Sequence, residues 1–219
     1  MWKVIPKKLL FNLFIYLYSL LIITLSLVLS HYFVDSTFPY FGTFNNLVKI
    51  SSITTIITII IFYLTGKWFW KFVWNMPFVG GLLNKNVCPD LNGKWVGSVN
   101  SNYSEDGKNT VQEVDVDIKV DFFGFSMELG SQDSYQNSKV IQSDIYKDVR
   151  NRTFHVSYIF ESKVTDPKET DDKVFHGASI LDIKFDKNDS LILEGSYWTN
   201  RAGQRKLNTS GSIKLIKQK

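Results

Sequence analysis

Two long apolar runs open the chain, and a strict two-residue alternation takes over after them. From Leu9 to Val34 there are 26 consecutive residues without Asp, Glu, Lys or Arg. At about 1.5 Å of rise per residue that makes roughly 39 Å of helix, enough to cross a hydrocarbon core of about 30 Å with some tilt. A cleaved leader would have an apolar core of only about 7–15 residues before small residues; no such site follows here, so the segment is expected to be retained. The second run, Ile50 to Gly66, contains Thr54, Thr55 and Thr58. Ile and Thr are poor helix formers in water, but in lipid the backbone has no water partner and the helix is imposed. The run ends in Lys67-Trp68-Phe69-Trp70-Lys71-Phe72-Val73-Trp74, where indole rings and ammonium groups suit the headgroup level. Between the runs, Asp35 to Asn46 holds Pro39 and Gly42, which are expected to break the helix. The pattern predicts a two-helix transmembrane hairpin over residues 1–75 and a linker over 76–90. A polar stripe marks each helix, Asn12, Ser19 and Ser26 in the first and Ser51, Thr55 and Thr58 in the second. Such side chains either bond across helices or bond back to their own carbonyls, and the pattern leaves both open.

After Cys88-Pro89 the period changes from helical to two. Strands are expected over Gly93–Asn100, Val111–Asp121, Phe123–Ser131, Lys139–Tyr146, Thr153–Glu161, Val174–Phe185, Leu191–Trp198 and Leu207–Lys217. Val114, Val116, Ile118 and Val120 face one way and Glu113, Asp115, Asp117 and Lys119 the other, while Phe154, Val156, Tyr158 and Phe160 form a second apolar row. Eight short antiparallel strands with no helical period between them predict an up-and-down, lipocalin-like β-barrel over residues 91–219, with a sandwich as the alternative. A barrel of eight strands is just wide enough to be filled by side chains or to hold one small ligand.

Charge changes the picture. The formal +4 of the whole chain divides into +6 over residues 1–87, where seven Lys face only Asp35, and −2 over residues 88–219. The bases flank the apolar runs on the side away from the turn, which by the positive-inside rule places both termini in the cytoplasm. Duplex nucleic acid demands a concentrated basic surface, so the balanced body is not expected to bind a nucleic-acid polymer. The lone Cys88 excludes an intramolecular disulfide and any zinc site built on several cysteines.

Signatures of catalysis are sparse. There is no Gly-x-Gly-x-x-Gly, no Walker loop and no His-Glu-x-x-His. His155 alternates with the apolar row of its strand and fits an exposed or cross-strand role; His176, before Gly177, reads as a structural polar residue. Glu113, Asp115 and Asp117 resemble a metal cluster, but period two requires one solvated face on this strand. No enzyme, metal or cofactor is expected.

The most informative stretch is Leu191 to Arg201. If Leu191 and Leu193 point inward, alternation brings Gly195, Tyr197, Thr199 and Arg201 to the same side, from apolar interior to polar rim. Gly would leave room for a ligand, Tyr offers a stacking face and a hydroxyl, and Thr and Arg can bond a phosphate. Across the mouth, Met127, Leu129 and Ser131 extend inward, followed by Gln132, Asp133, Ser134 and Tyr135. The competing reading is a strand that ends in an ordinary surface turn with an aromatic plug.

The arrangement resembles the membrane-anchored effectors of bacterial cyclic-oligonucleotide anti-phage (CBASS) operons, associated with CD-NTase enzymes, in which two N-terminal transmembrane helices carry a β-strand-rich sensor domain. The resemblance covers the whole chain in layout. In residues it rests on Leu91-Asn92-Gly93-Lys94-Trp95-Val96-Gly97, on His176-Gly177, on Gly195-x-Tyr197-x-Thr199-x-Arg201 and on Gly211-x-Ile213-x-Leu215. It implies a cyclic dinucleotide ligand supplied by a partner nucleotidyltransferase, followed by homo-oligomerisation, disruption of the inner membrane and death of the infected cell. It also implies ligand contacts from Tyr197, Thr199 and Arg201, with Ser131, Ser134 and Tyr135 beside them, while Trp95 is expected in the barrel core. The alternatives are a lipocalin-like barrel holding an apolar ligand, or a non-enzymatic membrane interaction protein.

Overall fold

The computed structural model of the chain describes Val4 and residues 7–33, 39–105, 108–148, 150–151, 153–167, 172–186, 190–205 and 208–218. It forms two compact units, Ile5–Met76 and Pro77–Lys219, the latter grouped with Met1–Val4.

The first unit is helical. Helix α1 covers Lys7–Phe33 and α2 covers Pro39–Leu64; a π-helical turn, Thr65–Phe69, then joins α2 to α3, Trp70–Trp74. The helix break expected over residues 35–46 is shorter than its composition implied, because α2 already begins at Pro39 and contains Gly42. A proline at the first helical position loses no hydrogen bond, since that amide has no intrahelical acceptor, so Pro39 starts the helix and does not break it. Asp35 and its neighbours through residue 38 lie outside the described residues. The hydroxyls of α2 largely turn back on their own helix: Ser52, Thr55 and Thr58 donate to the carbonyls of Val48, Ser51 and Thr54 at 2.9, 2.8 and 2.8 Å. Across to α1, the Tyr18 hydroxyl meets Thr55 Oγ1 at 3.3 Å, beside an edge-on pair of Phe14 and Phe62. Among the described residues one helical stretch, Ser51–Trp74, is long and apolar enough to cross a membrane, while Phe11–Leu25 is a shorter apolar segment.

The second unit opens with helix α4, Val79–Asn86, inside the segment expected to be a linker. Its Asn84 side chain donates to Gly80 O and accepts from Asp90 N, both at 2.8 Å, and Lys147 Nζ donates to Asn86 O at 2.7 Å. A cation on the last carbonyls of a helix is favourable for the helix dipole and for its unpaired oxygens. These side-chain bonds hold a helix that Gly80-Gly81 would weaken, and they could not be read from local propensity.

Eight antiparallel strands follow, β1 Gly93–Glu105, β2 Lys108–Val120, β3 Phe125–Ser131, β4 Gln136–Asp148, β5 Thr153–Val164, β6 Val174–Phe185, β7 Leu191–Thr199 and β8 Ser210–Lys217. Each pairs with the next, and β1 pairs with β8 from Trp95 opposite Lys217 to Ser101 opposite Gly211, closing the barrel. Closure leaves no edge strand and disposes of the sandwich alternative. Several strands outrun the expected limits. β1 and β2 continue into a longer hairpin past a bulge between Ser101 and Ser104. β4 starts three residues earlier, at Gln136. β3 starts later than Phe123, because the Asp121 carboxylate takes the amides of Phe123 and Gly124, both at 2.7 Å, in a local turn.

The apolar rows meet where alternation places them. Val114, Val116, Ile118 and Val120 of β2 and Phe154, Val156, Tyr158 and Phe160 of β5 are all buried. One end of the barrel is packed solid. Trp95, Leu91, Ile118, Val156, Leu181, Leu193 and Leu215 are each 0% exposed there, and each such aliphatic side chain contributes about 1.5–3 kcal/mol by leaving water. Leu91, just before β1, plugs this end and accepts the Trp95 indole N–H at 2.9 Å. Asn92 then acts as a substitute strand residue, accepting from Val120 N at 2.8 Å and donating to Val120 O at 2.9 Å.

Candidate functional site

The opposite end is open. There the interior holds a cavity of about 890 Å³, its mouth included, so the barrel is not filled by its own side chains. The mouth is rimmed by the β1–β2, β3–β4, β5–β6 and β7–β8 connections, and the chain enters β1 at the far, closed end.

One wall comes from β7, β8 and β1. Tyr197, Thr199 and Arg201 follow one another along the inward side of β7 and its continuation, and all three line the cavity with Ser101, Thr209 and Ile213. Among the described lining residues Arg201 is the single charged side chain. Its guanidinium carbon lies 5.4 Å from the Phe175 ring centroid, a cation–π placement that orients the fork. The backbone that carries it is fastened on three sides: Arg201 N donates to Thr199 Oγ1 at 3.2 Å, Ala202 N to Asp172 Oδ2 at 2.6 Å, and Asn200 N to His176 O at 2.9 Å. Thr199 and Thr209 share a hydroxyl contact of 2.7 Å. Burial pushes the Tyr197 hydroxyl above its ordinary pKa, opposed by a hydrogen bond with Ser101 and by the positive charge of Arg201, which keeps a phenol proton at the wall.

The other wall comes from β3, β4 and β5, with Met127, Leu129 and Val140 apolar and Ser131, Gln136 and Ser138 polar. Ser131 lines the cavity, yet its hydroxyl accepts from Gln136 N at 3.0 Å and donates to Gln136 O at 3.2 Å, closing the β3–β4 turn. Ser134 and Tyr135 lie outside the cavity wall: Ser134 is exposed at φ 58°, and Tyr135 N donates to Asp133 Oδ1 at 3.0 Å. The Asp133 carboxyl is held below its usual pKa by hydrogen bonds, first from the Ser131 side chain, whose one hydrogen is shared with Gln136 O, and then from the Tyr135 amide. The structure therefore gathers Tyr197, Thr199, Arg201 and Ser131 around one cavity and leaves Ser134 and Tyr135 on the turn beside it.

Gly195 does something other than leave room for a ligand. A Cβ there would sit 2.1 Å from Ile180 O and 2.9 Å from Leu181 Cα, so the glycine lets β7 cross tightly against β6 and faces no cavity. Sequence reasoning also missed Gln136, Ser138, Phe175 and Thr209. Ser162 sits on the largely apolar inward row of β5, which was the available signal, but the inward parity of β4, which carries Gln136 and Ser138, is masked by a bulge. Val140 pairs with Phe160 and Gln142 with Ile159, so Ile141 is the extra residue, and Ser138 and Ile145 both point inward although their spacing is odd.

The remaining polar candidates lie outside the barrel lumen. His155 Nδ1 is 2.8 Å from Asp182 Oδ1 across β5 and β6, and its ring stacks on Tyr146, while exposed His176 stands 3.7 Å from Glu161. Glu113 and Asp115 are exposed and Asp117 half-buried on the outer face of β2. Among the described residues no group of three or more His, Cys, Asp or Glu could hold a metal ion.

Tyr158, deep in the cavity wall, gives a pH test of the interior. Burial, opposed by a hydrogen bond with Ser179, pushes its hydroxyl up to about 12. Above the unfolded value near 10 the folded state keeps a proton that the unfolded state loses, so stability falls as pH rises from about 10 to about 12, by about 3 kcal/mol for this group. Cys88, also pushed up to about 12 by burial, acts in the same direction. Urea midpoints measured between pH 8 and 11 are expected to drop in the alkaline range, less steeply for Tyr158→Phe; identical slopes would place the hydroxyl in solvent.

Residues 86–217 match the family model described as the Cap15 cyclic dinucleotide receptor domain. A curated relative from Escherichia albertii, CD-NTase-associated protein 15, is 33% identical over 178 residues, covering 78% of this chain and 81% of the relative. That span is longer than Pro77–Lys219, so the likeness reaches back into the helical unit. The family model spans the closed eight-stranded barrel and the relative is 33% identical over most of the chain, so the chain is a member of the Cap15 family of cyclic dinucleotide receptor domains.

Proposed function

We propose that the chain is a non-catalytic effector of CBASS anti-phage defence, whose barrel binds a cyclic dinucleotide and thereby drives its helices to disrupt the bacterial inner membrane. The observation that carries the reading is the cavity with Arg201 as the single charged group of its described lining, set over Phe175 and flanked by Tyr197 and Thr199. A dinucleotide with two phosphates and two bases needs charge-assisted bonds and aromatic faces within one enclosed volume. Tyr197, Thr199 and Arg201 are the proposed contacts, with Ser131 at the wall and Ser134 and Tyr135 on the adjoining turn. The relative's name points to a CD-NTase as the source of the ligand.

The helical unit supplies the output. Phe11, Tyr16, Leu20 and Leu27 of α1 and Ile56, Ile59, Trp68 and Phe69 of the α2 run are exposed, an apolar surface that water does not tolerate on a lone helix pair. Lys67 lies 5.4 Å from the Tyr63 ring and 5.8 Å from the Trp68 ring, the composition of an interfacial belt. The proposal places α1 and α2 across the bilayer as a hairpin with both termini cytoplasmic. Ligand binding favours assembly only if the assembled state binds it more tightly, so the two processes are linked.

The test uses the full chain in detergent and in vesicles. A matching cyclic dinucleotide at about 100 times its Kd is expected to raise the melting temperature by about 5–10 °C. The same ligand is expected to release a trapped dye from vesicles carrying the chain. No shift with any member of a cyclic dinucleotide panel removes the sensor reading; a shift without dye release removes the membrane-disruption step alone.

A further inference from the structure

Three strands round the barrel from β7, the cavity wall is polar without being charged. Gln136 and Ser138 of β4 line the cavity and Ser162 of β5 stands behind them, 0% exposed. Their neighbours along the same inward rows are Val140, Phe160 and Val164, so three polar side chains occupy a place where apolar ones would pack.

Their hydrogen bonds can be counted. Gln136 Nε2 donates to Ser162 Oγ at 2.8 Å and to Ser138 Oγ at 3.4 Å, and the two serine hydroxyls bond each other. Both amide hydrogens and one hydroxyl hydrogen are thereby used. The Gln136 amide oxygen and one hydroxyl hydrogen are left; with Ser162 donating to Ser138, that hydrogen belongs to Ser138, which lines the cavity, and an acceptor stands beside a donor. The Gln136 backbone is held separately, through both its N–H and its carbonyl, by the Ser131 hydroxyl. The side chain is therefore fixed at its base by Ser131 and at its tip by Ser162.

This pair does not suit a phosphate, which offers acceptors only and would face the lone pairs of the amide oxygen. It suits the hydrogen-bonding edge of a nucleobase, where a donor and an acceptor lie side by side. Arg201 on the other wall has the opposite character, five donors and no acceptor. The cavity is thus divided into a cationic wall and a neutral wall carrying both a donor and an acceptor.

We infer that Gln136 is a specificity-determining residue that reads a base edge of the ligand, with Ser162 as the positioning residue that holds its amide. The inference rests on the cyclic dinucleotide reading above and adds which side chain discriminates among bases. Two consequences separate it from a merely structural cluster. Replacing Gln136 changes the ratio of affinities among ligands that share one phosphodiester linkage and differ in their bases, while replacing Arg201 weakens all of them together.

The experiment measures dissociation constants of the full chain in detergent for equally linked cyclic dinucleotides carrying adenine, guanine or uracil. Wild type, Gln136→Met, Gln136→Glu and Ser162→Ala are compared, with unliganded melting temperatures confirming that each folds. Loss of one bidentate base contact is worth about tenfold or more in discrimination. Gln136→Met is expected to erase at least that much of the wild-type preference, and Ser162→Ala to erase part of it in the same direction. Gln136→Glu removes the donors that hold the amide and is expected to change which base is preferred. If both Gln136 variants weaken every ligand by one common factor, or leave all of them unchanged, the base-reading role is wrong even though the receptor reading stands. If wild type binds none of the ligands, the receptor reading itself fails and this inference with it.

Discussion

Arg201→Ala is expected to weaken cyclic dinucleotide binding by about 100- to 20,000-fold while leaving the barrel folded. The magnitude follows from two charge-assisted hydrogen bonds at about 1.5–3 kcal/mol each, lost in a cavity with no second cation among its described lining residues. A ligand present at about 100 times the wild-type Kd would then sit at or below the variant's Kd, and the thermal shift would shrink to about 1 °C or less. The side chain is only half-buried, so the unliganded melting temperature is expected to move by less than about 3 °C. Arg201→Lys should fall between wild type and alanine, because an ammonium keeps the charge but loses both the planar fork and the stacking on Phe175. Titration calorimetry on the full chain in detergent checks this directly. Affinity within about threefold of wild type for Arg201→Ala would show that the phosphate is held elsewhere.

The largest expected effect on stability belongs to Trp95→Ala. Trp95 is 0% exposed and its indole N–H is spent on Leu91 O at 2.9 Å, so truncation empties the closed end of the barrel and removes the bond that fastens the plug. Large-to-small changes of this kind cost about 3–5 kcal/mol, a third or more of the stability of many domains, which is about 5–15 kcal/mol. Denaturant unfolding should show a lower midpoint corresponding to a loss of that free energy, with Trp95→Phe losing less because most of the packed volume remains. Trp95 does not line the cavity, so at low temperature the folded variant should bind ligand within a few-fold of wild type. Loss of binding in a variant that is still folded would mean that the indole stacks on the ligand and is not a core residue.

Much of this fold can be read from the chain itself, and the exceptions have identifiable causes. The β2 row Val114 to Val120 and the β5 row Phe154 to Phe160 are buried as their alternation predicts. The inward set Tyr197, Thr199 and Arg201 follows from the parity of Leu191 and Leu193 alone. The β4 bulge at Ile141 breaks that logic, because one inserted residue reverses which side every later side chain faces, and nothing in the local composition announces it. Gly195 was misassigned for a related reason: a missing Cβ looks the same in sequence whether it makes way for a ligand or for a neighbouring backbone. Helix α4 escaped notice because its support comes from Asp90 and Lys147, the latter 61 residues from the carbonyl it bonds. Pro39 was read as a break because a proline at a helix start and one inside a helix differ only in position.

By itself the sequence determined the two kinds of segment, apolar helical and alternating, together with the number of strands and the side of β7 that carries the cation. These are one-dimensional properties, since a residue's period and charge do not depend on its distant neighbours. Only the tertiary structure decided that β1 closes on β8, that one end is plugged by Leu91 and Trp95, and that the other is left open. It also brought Gln136, Ser138 and Ser162 together opposite Arg201. A cavity is space that strands far apart in sequence fail to fill, and a hydrogen-bonded cluster across β4 and β5 exists only once their register is set. The place of the cation was written in the chain, whereas the neutral wall that faces it came from closing the barrel.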